Sequence, residues 1–143
     1  MISRSKIAKR LKRDIVKNLY LFCYKEEEKY LKTVYILVDT FIKRFNVQEK
    51  DNLRISIELN ADLECLIFQN KSRQFDHFIK KEKLEKKDIG FQSNLTWVMC
   101  CIYENFKVPL ISFEEFKKTA FRILREEKNK KAENTCRILA GKE

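Results

Sequence analysis

The stretch VMCCIYENFKVPLISFEEF, Val98 to Phe116, holds two adjacent cysteines, an aromatic run and the only proline of the chain. It reads either as a metal or redox centre, or as a helix, a turn and a second helix. Leu95, Val98, Met99, Ile102, Tyr103 and Phe106 recur at three and four, which is the spacing of one helix face. Cys100 and Cys101 fall inside that run. Neighbours on a helix point about 100° apart, so the two thiols are badly placed to share one metal ion. Zinc sites use CxxC-like spacing with a further pair of ligands, and His77, the one histidine, has no second Cys/His cluster beside it. A cysteine also behaves as a small hydrophobe, which gives at least one of the pair a place in a core. Lys107-Val108-Pro109 ends the helix, because proline disfavours helical geometry in the residue before it. Ser112 with Glu115 three residues on is a capping-box start. Phe113, Phe116, Ala120, Phe121, Ile123 and Leu124 form the next apolar stripe. The pattern predicts helix, proline turn and capped helix.

Working outward, Ser93 or Asn94 is the expected cap of the first of these helices, and Gly90 suits a turn before it. Residues 4–30 read as a helix with Ile7, Leu11, Ile15, Leu19 and Phe22 on one face and Lys6, Lys9, Arg10, Arg13 and Lys17 opposite. The tract KEEEKY then continues as a charged turn or a short break. Residues 31–46 form a second helix on Val34, Leu37, Val38, Phe41, Ile42 and Phe45, broken by NVQEKD. A third is expected over 52–70. Its LRISIEL start alternates like a strand, but no second alternating run exists to pair with it. Residues 71–92 are the least regular, with Phe75, Phe78 and Ile79 able to pack as a short helix. The expectation is an all-α fold, a compact orthogonal bundle of about five to six helices. Residues 1–143 make a single helical domain: 1–30 a basic amphipathic N-terminal helix, 31–127 the helical core, 128–143 a charged C-terminal extension.

The segment from Val98 to Phe116 resembles the third-to-fourth helix region of the cyclin-box repeat, as found in transcription factor IIB and in the sixth subunit of the origin recognition complex. Cys100, Cys101, Tyr103, Pro109, Ser112 and Phe113 fill that region's run of small and aromatic residues, its proline turn and its short capped helix. KTVYILVDTFIKRFNV and DNLRISIELNADLECLIFQN stand where the first two helices of the repeat would lie, so the resemblance covers roughly residues 32–124. Leu110 replaces the family's usual basic residue after the proline, and one repeat is present where the family normally has two. The resemblance implies a transcription or replication factor.

Composition narrows the function from another side. The chain has 143 residues, 44% hydrophobic and 36% charged, enough to fold and bury a core. Its two glycines cannot build a Gly-rich phosphate loop. The cysteines, Cys23, Cys65, Cys100, Cys101 and Cys136, are odd in number and irregular in spacing, and no secretory leader pattern opens the sequence. Free thiols in an intracellular, cytoplasmic or nuclear, setting are expected. The N-terminal tract is basic, amphipathic and poor in acids, like a mitochondrial transit peptide. Both chain ends are instead expected to be packed or docked, since unheld basic termini fray.

One histidine leaves few constellations of nucleophile, base and orienting group; a Cys–His pair with His77 is open in principle, but any cysteine could be chosen for it and no catalytic motif appears. Glu26-Glu27-Glu28, Glu114-Glu115 and Glu126-Glu127 read as solvated helix faces. The chain is therefore read as non-enzymatic, with no cofactor, no metal and no small-molecule substrate. What stands out is a net charge of +10, a field that attracts polyanions. Two basic tracts are candidate nucleic-acid contacts: Lys6, Lys9, Arg10, Lys12, Arg13 and Lys17 in the first helix, and Lys80, Lys81, Lys83, Lys86 and Lys87 in KKEKLEKKD. The run from Arg125 to Glu143 nearly alternates in sign and reads as an exposed helix extension. Lysine and arginine contacts of this kind fix phosphate position and do not read bases. The expected function is a basic helical factor that docks on nucleic acid, rRNA or DNA, or on a ribonucleoprotein such as the ribosome, with protein partners beside it. The alternatives are the cyclin-box-like factor and a helical protein–protein adaptor with no nucleic-acid role. An anionic membrane is a weaker fit, because Arg4 and Lys12 lie off the basic stripe.

Overall fold

The computed structural model describes residues 6–51, 72–84 and 89–140, and of 72–75, 89–94, 96 and 128–140 the backbone path alone. Among the described residues there are five α-helices, α1 (Lys6–Lys25), α2 (Glu28–Arg44), α3 (Ser72–Lys81), α4 (Ile89–Tyr103) and α5 (Phe113–Ala140), with one 3-10 turn at Glu49–Asp51. No strand occurs among the described residues. The fold is an all-α bundle, as the periodicities predict. The expected helix over 52–70 and the two chain ends lie outside the described residues.

Only Glu26 and Glu27 separate α1 from α2, and so short a link makes the two helices antiparallel neighbours. α4 and α5 form a second pair, with α1 packed on α4 and α2 on α5. One apolar core joins them, including Ile15, Leu19, Phe22, Leu31, Val34, Leu95, Met99, Ile102, Phe116 and Leu124. Aromatic edges fasten the pairs. Phe22 meets Phe121 at 5.0 Å between centroids, and Tyr35 meets Phe113 at 5.4 Å. α3 closes on α1 through Phe78, whose ring lies 5.9 Å from Tyr20 and nearly perpendicular to it. Val98, Met99, Ile102, Tyr103 and Phe106 are all buried, and the Glu115 N–H reaches Ser112 Oγ at 3.2 Å. The opening stretch is thus a helix, a turn and a capped helix. Cys23 is buried, while Cys100 and Cys101 are half-buried, and none of the three forms a disulfide with another described residue.

Several boundaries differ from expectation, each for a physical reason. The first helix stops at Lys25 instead of running to residue 30. Glu26 turns left-handed at φ 59°, and its N–H closes on the Phe22 carbonyl at 2.7 Å, a single-bond left-handed cap. Glu27 is then extended and starts α2 three residues earlier than expected. Asn46 (φ 48°) and Lys83 (φ 57°) end α2 and α3 in the same left-handed region. There the bonds from Val47 N–H to Ile42 and from Leu84 N–H to Ile79 complete Schellman closures. No described glycine has positive φ, so these ends rest on residues with a Cβ. Gly90 lies inside α4 and not in a turn before it, and Ser93 and Asn94 follow it within the helix instead of capping it. First-turn N–H groups have no intrahelical partner to lose, so a glycine there weakens little.

The buried face of α1 is also rotated from the expected one. Ile7 is 45% exposed, whereas Ala8 and Lys12 join Ile15, Val16 and Leu19 inside. Two neighbours, α2 and α4, flank α1. The small Ala8 and the aliphatic stem of Lys12 fit that double contact where the regular apolar spacing does not.

Candidate nucleic-acid interface

α1 carries seven cations, Lys6, Lys9, Arg10, Lys12, Arg13, Lys17 and Lys25, against one acid, Asp14. Lys6, Lys9, Arg10 and Arg13 are exposed, and none of them makes an ion pair among the described residues. Lys17 is half-buried, its ammonium 5.9 Å from the Phe78 ring centroid. From Lys6 to Lys17 the helical rise of 1.5 Å per residue gives a stripe of about 16 Å, near five base-pair steps of a duplex.

Lys12 does not belong to that surface. It is 6% exposed and lines a small apolar pocket with Ile15, Val38, Phe41, Ile42, Phe106 and Val108. Its position three and four residues from Ala8, Ile15 and Val16 puts its stem on the core side of the helix. As an expected phosphate contact it is corrected: a side chain held there cannot reach a ligand on the opposite face.

On α2 and α5 several cations are paired. Lys43 meets Asp39 at 2.9 Å, Lys29 meets Glu27 at 3.5 Å, and Arg122 meets Glu126 at 3.8 Å. Lys117 bridges α5 to α2 through Glu28 at 3.0 Å and also reaches Glu114 at 3.3 Å. Hydrogen bonds to Glu28 first, then Glu114, raise the Lys117 pKa above the ordinary lysine value. Each such surface pair stabilises little, but each cancels a local field. Lys6, Lys9, Arg10 and Arg13 of α1 make no such pair among the described residues.

Of the second basic tract, Lys80, Lys81 and Lys83 are exposed, and Lys86 and Lys87 lie outside the described residues. The fold brings this tract to the first. A cleft of ≈ 370 Å³ between α1 and α3 is lined by Asp14, Lys17, Asn18 and Leu21 on one side and His77, Phe78, Lys81 and Glu82 on the other. Lys17 and Lys81 therefore share one opening. Asn18 is tied back to its own helix, its amide Nδ2 donating to the Asp14 carbonyl at 2.9 Å. Lys25, two turns further along, donates to the Tyr30 hydroxyl at 3.2 Å. That bond, aided by the charges of Glu27 and Glu82, raises its pKa.

Sequence reasoning missed Asp14, Asn18, His77 and Glu82 as cleft residues. The signal available was slight: Phe78 and Ile79 as an apolar anchor, which would draw the flanking His77, Lys81 and Glu82 to the rim. Trp97 is 59% exposed, with its indole N–H donating to Glu127 at 2.7 Å. Among the described residues no group of three or more His, Cys, Asp or Glu side chains is placed to hold a metal ion, and no helix is long and apolar enough to cross a membrane. No protein-family model matches the chain, and neither a curated protein nor a solved structure matches it.

Proposed function

We propose that this protein is a non-enzymatic basic helical factor that docks on nucleic acid or a ribonucleoprotein through phosphate contacts made by α1. The observation that carries the reading is the exposed stripe of Lys6, Lys9, Arg10 and Arg13, four cations on one helix with no ion pair among the described residues, whereas Lys43, Lys117 and Arg122 on α2 and α5 each meet a neighbouring acid. A charge surface meant only for solubility gains nothing from concentrating one sign on one helix. A surface that displaces counterions from a phosphate chain does.

The test is binding to duplex RNA, duplex DNA and purified ribosomes across a salt series, wild type beside Lys9→Glu/Arg10→Glu/Arg13→Glu. All three positions are exposed, so the variant should fold, as circular dichroism can check. Loss of three phosphate contacts flattens the slope of log K against log salt by about 2 to 3. The preferred ligand then separates a ribosomal from a chromosomal role. Absence of binding to all three at low salt refutes the proposal and leaves a protein partner as the occupant of this surface.

A further inference from the structure

The cleft between α1 and α3 is not what a phosphate-only surface requires. A strip that reads only backbone phosphates excludes carboxylates, because a like charge beside the ligand weakens every contact. Yet Asp14, the one acid of α1, lines this cleft together with Glu82. Neither carboxylate is within ion-pairing distance of Lys17 or Lys81, although all four line the same opening. Both acids are half-buried and His77 is exposed. A metal does not explain the acids, since no suitable ligand group exists among the described residues.

The charge of Glu82 also acts on Lys25, but a nucleobase would give both cleft acids one partner. Carboxylates are acceptor-only groups, and a Watson–Crick edge rich in donors is their complement. Guanine offers N1–H and N2–H₂ side by side, matching one carboxylate in a bidentate pair. The exposed His77 ring gives such a base a flat surface to stack on. The Lys17 ammonium is held over Phe78, so less side-chain freedom is lost when it meets a phosphate. The volume of ≈ 370 Å³ is at the lower end of the range that takes one small organic ligand, and a duplex cannot enter it.

We infer that the cleft takes one unstacked guanine nucleotide of a single strand, with Asp14 and Glu82 accepting from the base edge, His77 stacking on it, and Lys17 and Lys81 meeting its flanking phosphates. This rests on the docking reading, because the strand reaches the cleft along the stripe of α1. It adds base and strand preference, which the stripe alone cannot supply.

The experiment uses the full chain and three probes of equal length in fluorescence anisotropy: oligo(U), the same strand with one central guanosine, and an RNA duplex. Wild type should bind the guanosine strand about tenfold more tightly than oligo(U), the scale of one good bidentate base contact. In Asp14→Asn/Glu82→Gln that ratio should fall to about one, while binding of oligo(U) rises because negative charge has gone. His77→Ala should reduce the preference for strand over duplex. Equal binding of all three probes by wild type, or a guanosine preference that survives the double substitution, overturns the inference and leaves phosphate docking standing. No binding of any probe at low salt overturns the docking reading and this inference with it.

Discussion

Replacing Tyr35 with phenylalanine should lower the stability of the fold by about 1–2 kcal/mol without disturbing its aromatic packing. Tyr35 sits half-buried on α2. Its hydroxyl donates to the Ile111 carbonyl at 2.7 Å, across 76 residues of chain. Its ring meets Phe113 at 5.4 Å and Phe116 at 5.8 Å. Phenylalanine keeps both ring contacts and removes one bond, which is worth about 1 kcal/mol net. The Ile111 carbonyl is then left in a half-buried place. Water can partly reach it, so the desolvation penalty stays toward the lower end of its range of about 1–3 kcal/mol. In a chain of this length each kcal/mol moves Tm by roughly 3–4 °C, giving a drop of roughly 3–8 °C.

The assay is urea unfolding followed by far-ultraviolet circular dichroism, with thermal melts beside it. The midpoint should fall while the slope m holds, because the surface exposed on unfolding is unchanged. Tyr30→Phe serves as the control. Its hydroxyl accepts from Lys25 in a half-buried pair only five residues apart, with an ammonium that can turn to water, so its removal should change stability by about 0.5 kcal/mol or less. If Tyr35→Phe is as mild as Tyr30→Phe, the phenol does not tether the turn before α5 to α2, and the account of how the two helix pairs are joined is wrong.

Three further outcomes follow from the same geometry. Lys83→Gly, and separately Glu26→Gly, should raise the unfolding free energy from urea melts by about 0.5–1 kcal/mol, since glycine removes the Cβ penalty of the left-handed ends of α3 and α1. Ser112→Ala should lose about 1 kcal/mol in the same melts by stripping the cap from the Glu115 N–H. Lys9→Met should flatten the salt slope of nucleic-acid binding by about 0.7–0.9, whereas Lys12→Met, buried on the core side, should leave the slope unchanged. Equal slopes for Lys9→Met and Lys12→Met would remove the stripe as the contact surface.

What was legible in the sequence was local. The faces of α4 and α5 follow from residues three and four apart, and Ser112 announces its own helix. The rotation of the buried face of α1 was not legible, because it depends on which helices flank it, and the choice between Ile7 and Ala8 is made by α2 and α4. The stop at Lys25 was hidden because nothing in KEEEKY prefers a left-handed backbone. The same holds for Lys83, while Asn46 is a residue type that does visit that region. The basic tracts could be named, but their meeting could not. The link from Lys17 to Lys81 runs through the Tyr20–Phe78 contact, a pairing that no local spacing encodes.

The stripe on α1 also bears on how docking and folding are connected. Along α1, Lys6–Lys9, Lys6–Arg10, Lys9–Arg13, Arg10–Arg13 and Arg13–Lys17 are like-charge pairs three or four residues apart. Asp14 offers opposite-sign spacing only to Arg10 and Lys17. Pairs at these spacings are worth about 0.2–0.5 kcal/mol each, so the balance destabilises an isolated α1 by about 1 kcal/mol. The bundle tolerates this because the other side of the helix buries Ala8, Ile15, Val16, Leu19 and Phe22. A phosphate chain laid on the stripe turns the repulsion into attraction at no cost to the core. Under the proposed docking the charge that weakens the free protein is also the charge that binds, so ligand and fold would be linked: a polyanion docked on α1 would also stabilise the bundle. Neutralising the stripe should accordingly stabilise the free protein while weakening its complex, two effects of opposite sign arising from the same four side chains.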